Sequence, residues 1–477
     1  MMYETVIGLE VHLHLKTKTK AFCGCSTEFG REPNSQVCPV CLGFPGSLPV
    51  LNRTALDYAI KAALALNCSV QNYTKFDRKN YFYPDLPKNY QISQYDLPVS
   101  RDGFLDIRSE AGAKRVRIKR VHLEEDAGKL IHQEAVSLVD FNRAGMPLLE
   151  IVSEPEMNSP DEAYEYLTGL KSIIEYLDVS DCDMEKGSLR CDANISIRKK
   201  GSTILGVKAE LKNMNSFKSV REALAFEAKR QAELLESGGE IIQETRLWNA
   251  EESKTVSMRT KEEAQDYRYF PEPDLPPFTI NKDKIEAIKK SIPELPESKR
   301  RRFTEDYGLS EYDAKILVLS RRNAAFAEEC INEYPGKEKK PVVNWLIGPF
   351  LSEANARNRE LADLGIGSKA LVELINLMEK GVLSNLSAKA VLAEMLETGK
   401  TAQAVIKEKN LAQISDSSSL GGVIEEVIKE NAKSVTDYKQ GKGNALMFLV
   451  GQAMRKSGGR ANPKVVQDLL KEKLNEG

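Results

Sequence analysis

Val6-Ile-Gly-Leu-Glu10-Val-His12-Leu-His14-Leu15 is the stretch on which the reading of this chain turns. Leu9, Val11, Leu13 and Leu15 alternate with Glu10, His12 and His14. Side chains of a β-strand point to opposite faces with a period of two. One face of this strand is therefore wholly apolar, and the other projects a carboxylate and two imidazoles in a row. Solubility is served by Lys, Thr or Ser, whereas Glu and His are metal ligands and acid/base groups. The plainer alternative is a sheet whose open face is simply polar. All four His of the chain fall between positions 12 and 132, which concentrates this chemistry in the N-terminal part.

Working outward, 477 residues predict two to three domains with room for a core. Basic and acidic residues nearly cancel, 68 against 70, so any nucleic-acid surface must be a local patch. No apolar run reaches the length of a membrane span, and the first strand starts too early to leave room for a signal peptide. The expected compartment is the cytosol. Cys68, Cys182, Cys191 and Cys330 are scattered and read as small core residues. Cys23, Cys25, Cys38 and Cys41 instead form Cys-x-Cys, twelve residues, then Cys-Pro-Val-Cys. Short spacing without a secretory signal favours a structural zinc, with a redox pair or an accidental cluster as alternatives. Four thiolates would close the coordination sphere and leave no position for catalysis.

The expected fold class is α+β, a mixed and largely antiparallel sheet followed by helical domains. Asn52 is placed to cap a helix through Ala55, Ala59, Ala63 and Leu66. Residues 76–95 have too many Pro and too little periodicity for a regular element and predict a functional loop. Strands are expected near 104–107, 115–123, 136–141 and 147–152. Ser159-Pro160-Asp161-Glu162 reads as a capping box opening a helix. Leu189-Arg190-Cys-Asp192-Ala-Asn194 alternates as a strand, and a helix is expected over about 217–236. The Pro-dense residues 270–298 mark a boundary. The predicted domains are 1–292 (with the zinc loop 23–41), a helical domain over 293–408 that opens with Lys299-Arg300-Arg301-Arg302, and a small helical tail over 409–477. A Ser/Asp-rich break is expected at 415–422. In the tail, Asn462 caps and Pro463 starts the last helix, and Lys439, Lys442, Arg455, Lys456, Arg460 and Lys464 make a basic set. Such a set is either a solvated face or a phosphate grip.

His122-Leu-Glu124-Glu125-Asp126 ends a predicted strand, and Glu150 sits in another. With Glu10 and His12 they offer many oxygen and nitrogen ligands on one domain. Gathered carboxylates repel unless a cation neutralises them, and an oxygen-rich set suits Mg²⁺. The alternative is that these acids sit apart and only solvate the sheet. Gly399-Lys400-Thr401 mimics the end of a phosphate loop, but the required upstream Gly is Glu394. Without a Gly-rich loop, ATP phosphates would have to be held by metal, Arg and Lys. There is also no Gly-x-Ser-x-Gly elbow, and no His neighbours a scattered Cys in sequence. A self-contained amidase is not expected.

Several strings resemble the B-subunit family of the bacterial glutamyl/aspartyl-tRNA amidotransferases. They are Glu4-Thr-Val-Ile-Gly-Leu-Glu-Val-His12, Phe76-Asp-Arg-Lys-Asn-Tyr-Phe-Tyr-Pro-Asp85 and Leu123-Glu-Glu-Asp-Ala-Gly-Lys129. Others are Asp140-Phe-Asn-Arg143, Leu149-Glu-Ile-Val-Ser-Glu-Pro155, Gly187-Ser-Leu-Arg-Cys-Asp-Ala-Asn194 and Asp266-Tyr-Arg-Tyr-Phe-Pro-Glu-Pro-Asp274. The resemblance implies a cradle domain with a kinase-like pocket, a helical domain and a tail domain that recognises tRNA. It implies that ATP phosphorylates the side-chain carboxylate of Glu or Asp misacylated on tRNA(Gln) or tRNA(Asn), and that ammonia then displaces phosphate. On that reading Mg²⁺ is held by Glu10, His12, Glu124, Glu125 and Glu150, with Asp192 and Glu210 as further candidates. Lys79 and Arg190 bind phosphate or developing charge. The implied partners in a heterotrimer are a glutamine-hydrolysing amidase, which supplies ammonia, and a small third protein. Two other classes stay open: a metal-dependent hydrolase using the same carboxylates, and a tRNA-binding scaffold with a degenerate pocket.

Overall fold

A computed structural model describes residues 3–110, 112–258, 267–411, 417–458 and 461–476, in two compact units, Met1–Leu295 and Pro296–Gly477. The alternating N-terminal stretch forms one strand, β1 (Tyr3–His14), at the centre of a nine-stranded sheet. Its other strands are β2 (Ser69–Val70), β3 (Ser100–Ser109), β4 (Gly112–Glu125), β5 (Pro147–Ser153), β6 (Leu189–Lys199), β7 (Ala209–Lys212), β8 (Glu244–Asn249) and β9 (Lys254–Ser257). They lie in the order β9-β8-β7-β6-β1-β5-β4-β3-β2, antiparallel throughout except for the β7–β8 pair.

Pairing register fixes what shares a face. His12 stands opposite Glu150 of β5 and Arg190 of β6, Glu10 opposite Asp192, and Glu150 opposite His122 of β4. All these side chains lie on one face. The other face carries Leu9, Val11 and Leu13, each at most 1% exposed, in one apolar core with Leu123, Leu149, Ile151 and Ile195. Helices α1 (Arg53–Ala65), α2 (Pro160–Leu177) and α3 (Phe217–Glu236) supply the rest of that core through Ala59, Ile60, Tyr166, Leu170 and Leu224.

Local chemistry sets the helix starts. The Asn52 side chain accepts from Thr54 N and Ala55 N, and Ser159 Oγ from Glu162 N. The Glu162 carboxylate reaches Asn158 N at 2.7 Å, one residue before the position a capping box would satisfy. Residues 76–95 differ from expectation. Asp77–Asn80 and Tyr90–Ser93 are strands, paired with each other and, through the first, with Phe270–Pro271. Their Pro residues fall in the connecting turn, which is why the sequence reads as loop. The Pro-dense segment is likewise more than a linker. Phe278–Thr279 pairs with Tyr73–Thr74, and a fourth helix, α4 (Lys282–Lys290), follows with Lys284 paired to Asp57 of α1.

The second unit is helical and holds two separate apolar cores. One runs from Phe303 to Ile406 and includes Trp345 and Phe350; the other runs from Leu420 to Leu474. Gly399, the phosphate-loop mimic, is the left-handed cap that ends helix Asn385–Thr398. The break expected at 415–422 is helical from Ser417 onward, because Leu420, Ile424 and Val427 recur at helical spacing and are buried. Its first residues, 415 and 416, lie outside the described part of the chain. Asn462 caps the final helix, Pro463–Glu476, as its sequence predicts.

Candidate active site on the polar face of the sheet

Three ligand-bearing side chains meet where β1, β5 and β4 lie side by side. Ligand atoms of His12, Glu124 and Glu150 all fall within 4.8 Å of one another. His12 Nε2 is 3.4 Å from Glu150 Oε2, and His122 Nε2 is 3.3 Å from the same oxygen and 3.7 Å from Glu124 Oε2. Ser93 Oγ donates to Glu124 Oε2 at 2.9 Å from the small sheet. Burial alone would push both carboxyls up. The His122 imidazole outweighs that and holds Glu124 below its ordinary range, and His122 and His12 together hold Glu150 well below it. Burial opposes charge on His122 too, but Glu150 and Glu124 raise it to about 9, and His12 moves up for the same reason. Two buried carboxylates thus face two imidazoles whose bound protons they favour. A hard divalent cation fits this donor set, since it could take over the charge those protons carry.

The rest of the face is a row of paired charges. Lys79 is half-buried beneath the Tyr267 ring, 4.9 Å from its centroid. Burial works against its charge, yet Glu124 and the neighbouring tyrosines and Glu150 raise its pKa. Arg190 Nη2 donates to Asp126 Oδ2 at 2.7 Å, and the same oxygen is 2.6 Å from His14 Nε2 and 3.4 Å from Arg143 Nε. Burial would raise Asp126, but Arg190 and His14 hold it far below the usual carboxylate range. Glu10 stays out of the three-ligand group and accepts from Asn194 Nδ2 at 3.1 Å. Asp192 pairs with Lys212, whose ammonium also lies 3.1 Å from Glu210. Those two acids are matched to a lysine rather than gathered with Glu124.

Glu125 departs from expectation. Successive residues of a strand face opposite ways, so Glu125 points through the sheet, where Oε1 accepts from Ile92 N at 2.9 Å and from Lys88. It borders a cavity of about 180 Å³ shared with Lys20, Cys41 and Gly145. The same parity adds to the face three residues that the Mg²⁺ set implied by the resemblance does not include. His122, Glu124 and Asp126 alternate on one strand as Glu10, His12 and His14 do on another, so His122, His14 and Asp126 belong to the face.

The four cysteine sulfurs also lie within 4.8 Å of one another. Cys38 and Cys41 Sγ are 3.9 Å apart, close to the ~3.8 Å edge of a tetrahedron with Zn–S bonds of about 2.3 Å. The Cys23 thiol holds Cys41 down at about 4, and Cys23 itself is pushed up. Lys20 is fully buried with its ammonium 3.6 Å from Cys41 Sγ. A buried cation needs an anion beside it, and a metal held by four thiolates would supply one. In the tail, Lys456 is paired with Glu426 and Glu430, and Lys442 with Asp437. Lys439, Arg455 and Lys464 have no ion pair among the described residues, and Arg460 lies outside them.

Comparison with known proteins gives the family. Residues 5–286 match the family model described as the GatB/GatE catalytic domain, and residues 325–474 the one described as the GatB domain. Proteins named as the B subunit of aspartyl/glutamyl-tRNA(Asn/Gln) amidotransferase are similar along their whole length. That of Caldanaerobacter subterraneus subsp. tengcongensis is 55% identical over all of both chains, and that of Carboxydothermus hydrogenoformans 55% over 99% of both. The Moorella thermoacetica protein is 52% identical over 99% of this chain and all of its own. With both domains matched and full-length relatives above half identity, the chain belongs to the B-subunit family of the aspartyl/glutamyl-tRNA(Asn/Gln) amidotransferases.

Proposed function

We propose that this chain carries the ATP-dependent amidation site of a cytosolic glutamyl/aspartyl-tRNA amidotransferase. The observation that carries the reading is the cluster of His12, Glu124 and Glu150 on a polar sheet face, flanked by Lys79 and by Arg190. In the first step a side-chain carboxylate oxygen of misacylated Glu-tRNA(Gln) or Asp-tRNA(Asn) attacks the γ-phosphorus of ATP and ADP leaves. In the second, ammonia adds to the acyl carbon and phosphate departs. No strong base is required for the first step, because that carboxylate is already ionised near neutral pH. Mg²⁺ held by His12, Glu124 and Glu150, with Glu10 close by, supplies neutralisation of the phosphoryl charge.

The chain's own cations do the remaining work. Lys79 stands by Glu124 as a point charge for a phosphate oxygen, while Asp126 holds Arg190 as a second donor. Asp192 and Lys212 extend the polar row on the β6 side. No glutaminase nucleophile is apparent among the motifs, so ammonia comes from a partner amidase that hydrolyses glutamine, and a small third protein completes the heterotrimer. The zinc centre of Cys23, Cys25, Cys38 and Cys41 is structural, and the tail binds tRNA. The test is ADP release by the purified complex with Glu-tRNA(Gln) and Asp-tRNA(Asn) offered separately. ADP formed only with a misacylated tRNA is expected. Equal ADP release with uncharged tRNA would indicate a hydrolase, and no Mg²⁺-ATP binding at all would indicate a scaffold.

A further inference from the structure

The string Asp140-Phe-Asn-Arg143 has no part in the ligand cluster, yet it stands between the cysteine loop and the reaction face. Residues 26–37 form the loop that Cys25 and Cys38 close, and its far end is bonded to this string from both sides. Asn34 N donates to Asp140 Oδ1 at 3.0 Å and Asn34 Nδ2 to the Val139 carbonyl at 3.0 Å, while Asn34 Oδ1 accepts from Phe141 N at 2.8 Å. Asn142 returns the pairing: its Oδ1 accepts from Gln36 N at 2.8 Å, and its Nδ2 donates to the Glu32 carbonyl at 2.7 Å. A second tie runs through Lys20. Its ammonium, 3.6 Å from Cys41 Sγ, also donates to the Phe141 carbonyl at 3.3 Å.

Arg143 carries the contact across. Its Nε donates to the Ala127 carbonyl at 3.0 Å and its Nη2 to the Gly128 carbonyl at 2.6 Å, with Nε 3.4 Å from Asp126 Oδ2. Asp126 is the carboxylate that holds Arg190. The backbone follows the same path, since Gly145 N donates to the Asp126 carbonyl and Asp126 N to that of Met146, both at 2.9 Å. Residues 139–146 are thus fixed to the cysteine loop at one end and to Asp126 at the other.

Energetics decide which end depends on which. The bonds of Asn34 lie at the surface, where exchange with water leaves each one weak. Closing a loop of this length costs chain entropy that such bonds do not offset alone. Cys23, Cys25, Cys38 and Cys41 on one metal would close it beforehand. Asn34 and Asn142 then join two preformed surfaces, and Arg143 is set in place.

We propose that Arg143 is a positioning residue for the Asp126–Arg190 pair, and that loop 26–37 holds it there only while the four cysteines share a metal. The proposal rests on the reading of those cysteines as a zinc centre. It makes zinc occupancy felt at the reaction face, although a closed site touches no substrate. Without the metal, residues 139–146 slacken, Asp126 loses one of its cations, and Arg190 loses a fixed anchor. His12, Glu124 and Glu150 are placed by strand register and keep their cation site.

The experiment uses the whole complex, with zinc present or withdrawn by a chelator and Mg²⁺ restored before assay. Asn34 has φ +58°, so Asn34→Gly keeps that backbone without strain and removes the side-chain bonds to 139 and 141. Asn142→Ala removes those to 32 and 36. Both variants should keep one zinc per chain by elemental analysis, while kcat for ADP formation falls about fivefold or more and Mn²⁺ affinity changes less than twofold. Zinc withdrawal should lower kcat of the unsubstituted complex by a similar factor and speed amide exchange over 139–146. In the double variant Asn34→Gly/Asn142→Ala it should add less than twofold, because the link is already cut. Arg143→Ala gives a readout without turnover. Its zinc affinity, by competition with 4-(2-pyridylazo)resorcinol, should fall about fivefold or more, since coupling between binding and positioning is reciprocal. Losses that multiply in the double variant, or unchanged exchange over 139–146 after zinc withdrawal, would overturn the proposal and leave the metal a staple for its own loop. If the loop variants shed zinc on purification, the Arg143→Ala affinity decides alone, and an unchanged value overturns the proposal. Well under one zinc per chain in the unsubstituted complex would defeat the zinc reading itself, an outcome separate from these.

Discussion

Glu124 and Glu125 are neighbours with the same functional group and opposite surroundings. Glu124 faces His12, His122 and Glu150; Glu125 faces Lys88 and the Ile92 amide on the far side of the sheet. Glu124→Gln should weaken Mn²⁺ binding, followed by electron paramagnetic resonance, about tenfold or more, since a carboxamide is a poor ligand for a hard cation. Glu125→Gln should leave that affinity within twofold. Equal losses in the two variants would show that both carboxylates reach the ion. Asp126→Asn tests the other cluster: the site keeps its shape, but Arg190 and His14 lose their anion. We expect kcat about 10–100-fold lower with Mn²⁺ affinity little changed, a split that a general loss of folding would not give. Much of this was legible in the sequence, because Glu10, His12 and His14 can be put on one face of their strand by parity alone. What parity within one strand cannot supply is register between strands. That register makes His122 a neighbour of Glu150 and leaves Asp192 to Lys212.

At the scale of elements, residues 15–52 are tied to the main core by Leu15, Ala21 and Phe22 and bring four cysteine sulfurs together between them and Asn52. Gly43 has φ +69°, and a Cβ there would lie 2.4 Å from Lys88 Cγ. Gly43→Ala should cost about 1–3 kcal/mol, read as a lower thermal midpoint, and zinc content by elemental analysis should fall with it. Cys41→Ser should release zinc and unfold this loop first, seen as faster amide exchange over residues 20–45. Its effect on phosphoryl transfer should come only through that loop. Zinc well below one per chain in the unsubstituted protein would sink the assignment. The four cysteines made this element readable, as Asn52 and Ser159 did for two helices. Residues 76–95 were unreadable because their two strands are short, and one is anchored by Phe270–Pro271 nearly two hundred positions later. Local sequence holds no trace of such a partner.

At the scale of the molecule, many charges of the described residues are committed to internal pairing. The run Lys299-Arg300-Arg301-Arg302 looks basic in sequence, but Lys299 and Arg302 hold Glu328 between them, and Arg300 pairs with Glu297 and Glu311. Burial would raise Glu328; Arg302 and Lys299 outweigh it and bring it to about 2. A carboxylate lowered on folding adds stability above its unfolded pKa, near 4.5, and loses it as pH falls towards 2. The gap in urea midpoint between Glu328→Gln and the unsubstituted protein should therefore be widest near pH 6 and shrink steadily below pH 4.5. A gap independent of pH would assign Glu328 a packing role instead. In the tail, the pairing of Lys442 and Lys456 leaves Lys439, Arg455 and Lys464 as the better candidates for phosphate contact. Removing residues from 410 onward should weaken tRNA binding strongly at low salt and less as salt rises, with metal binding retained. Undiminished tRNA affinity at low salt would remove the tail from recognition.

The opposed directions of Glu124 and Glu125 carry a consequence for how such a chain can change length. Adding or deleting one residue inside β4 would turn every side chain beyond it to the other face. Deleting one would carry Glu125 into the ligand cluster, Glu124 into the core place of Leu123, and Leu123 to where His122 had been. The chain can lengthen at the turn between Ser109 and Gly112, where β3 and β4 are joined, because nothing beyond it changes side. Related chains should therefore differ in length at that turn, and keep the count from Gly112 to Asp126 fixed or alter it by two.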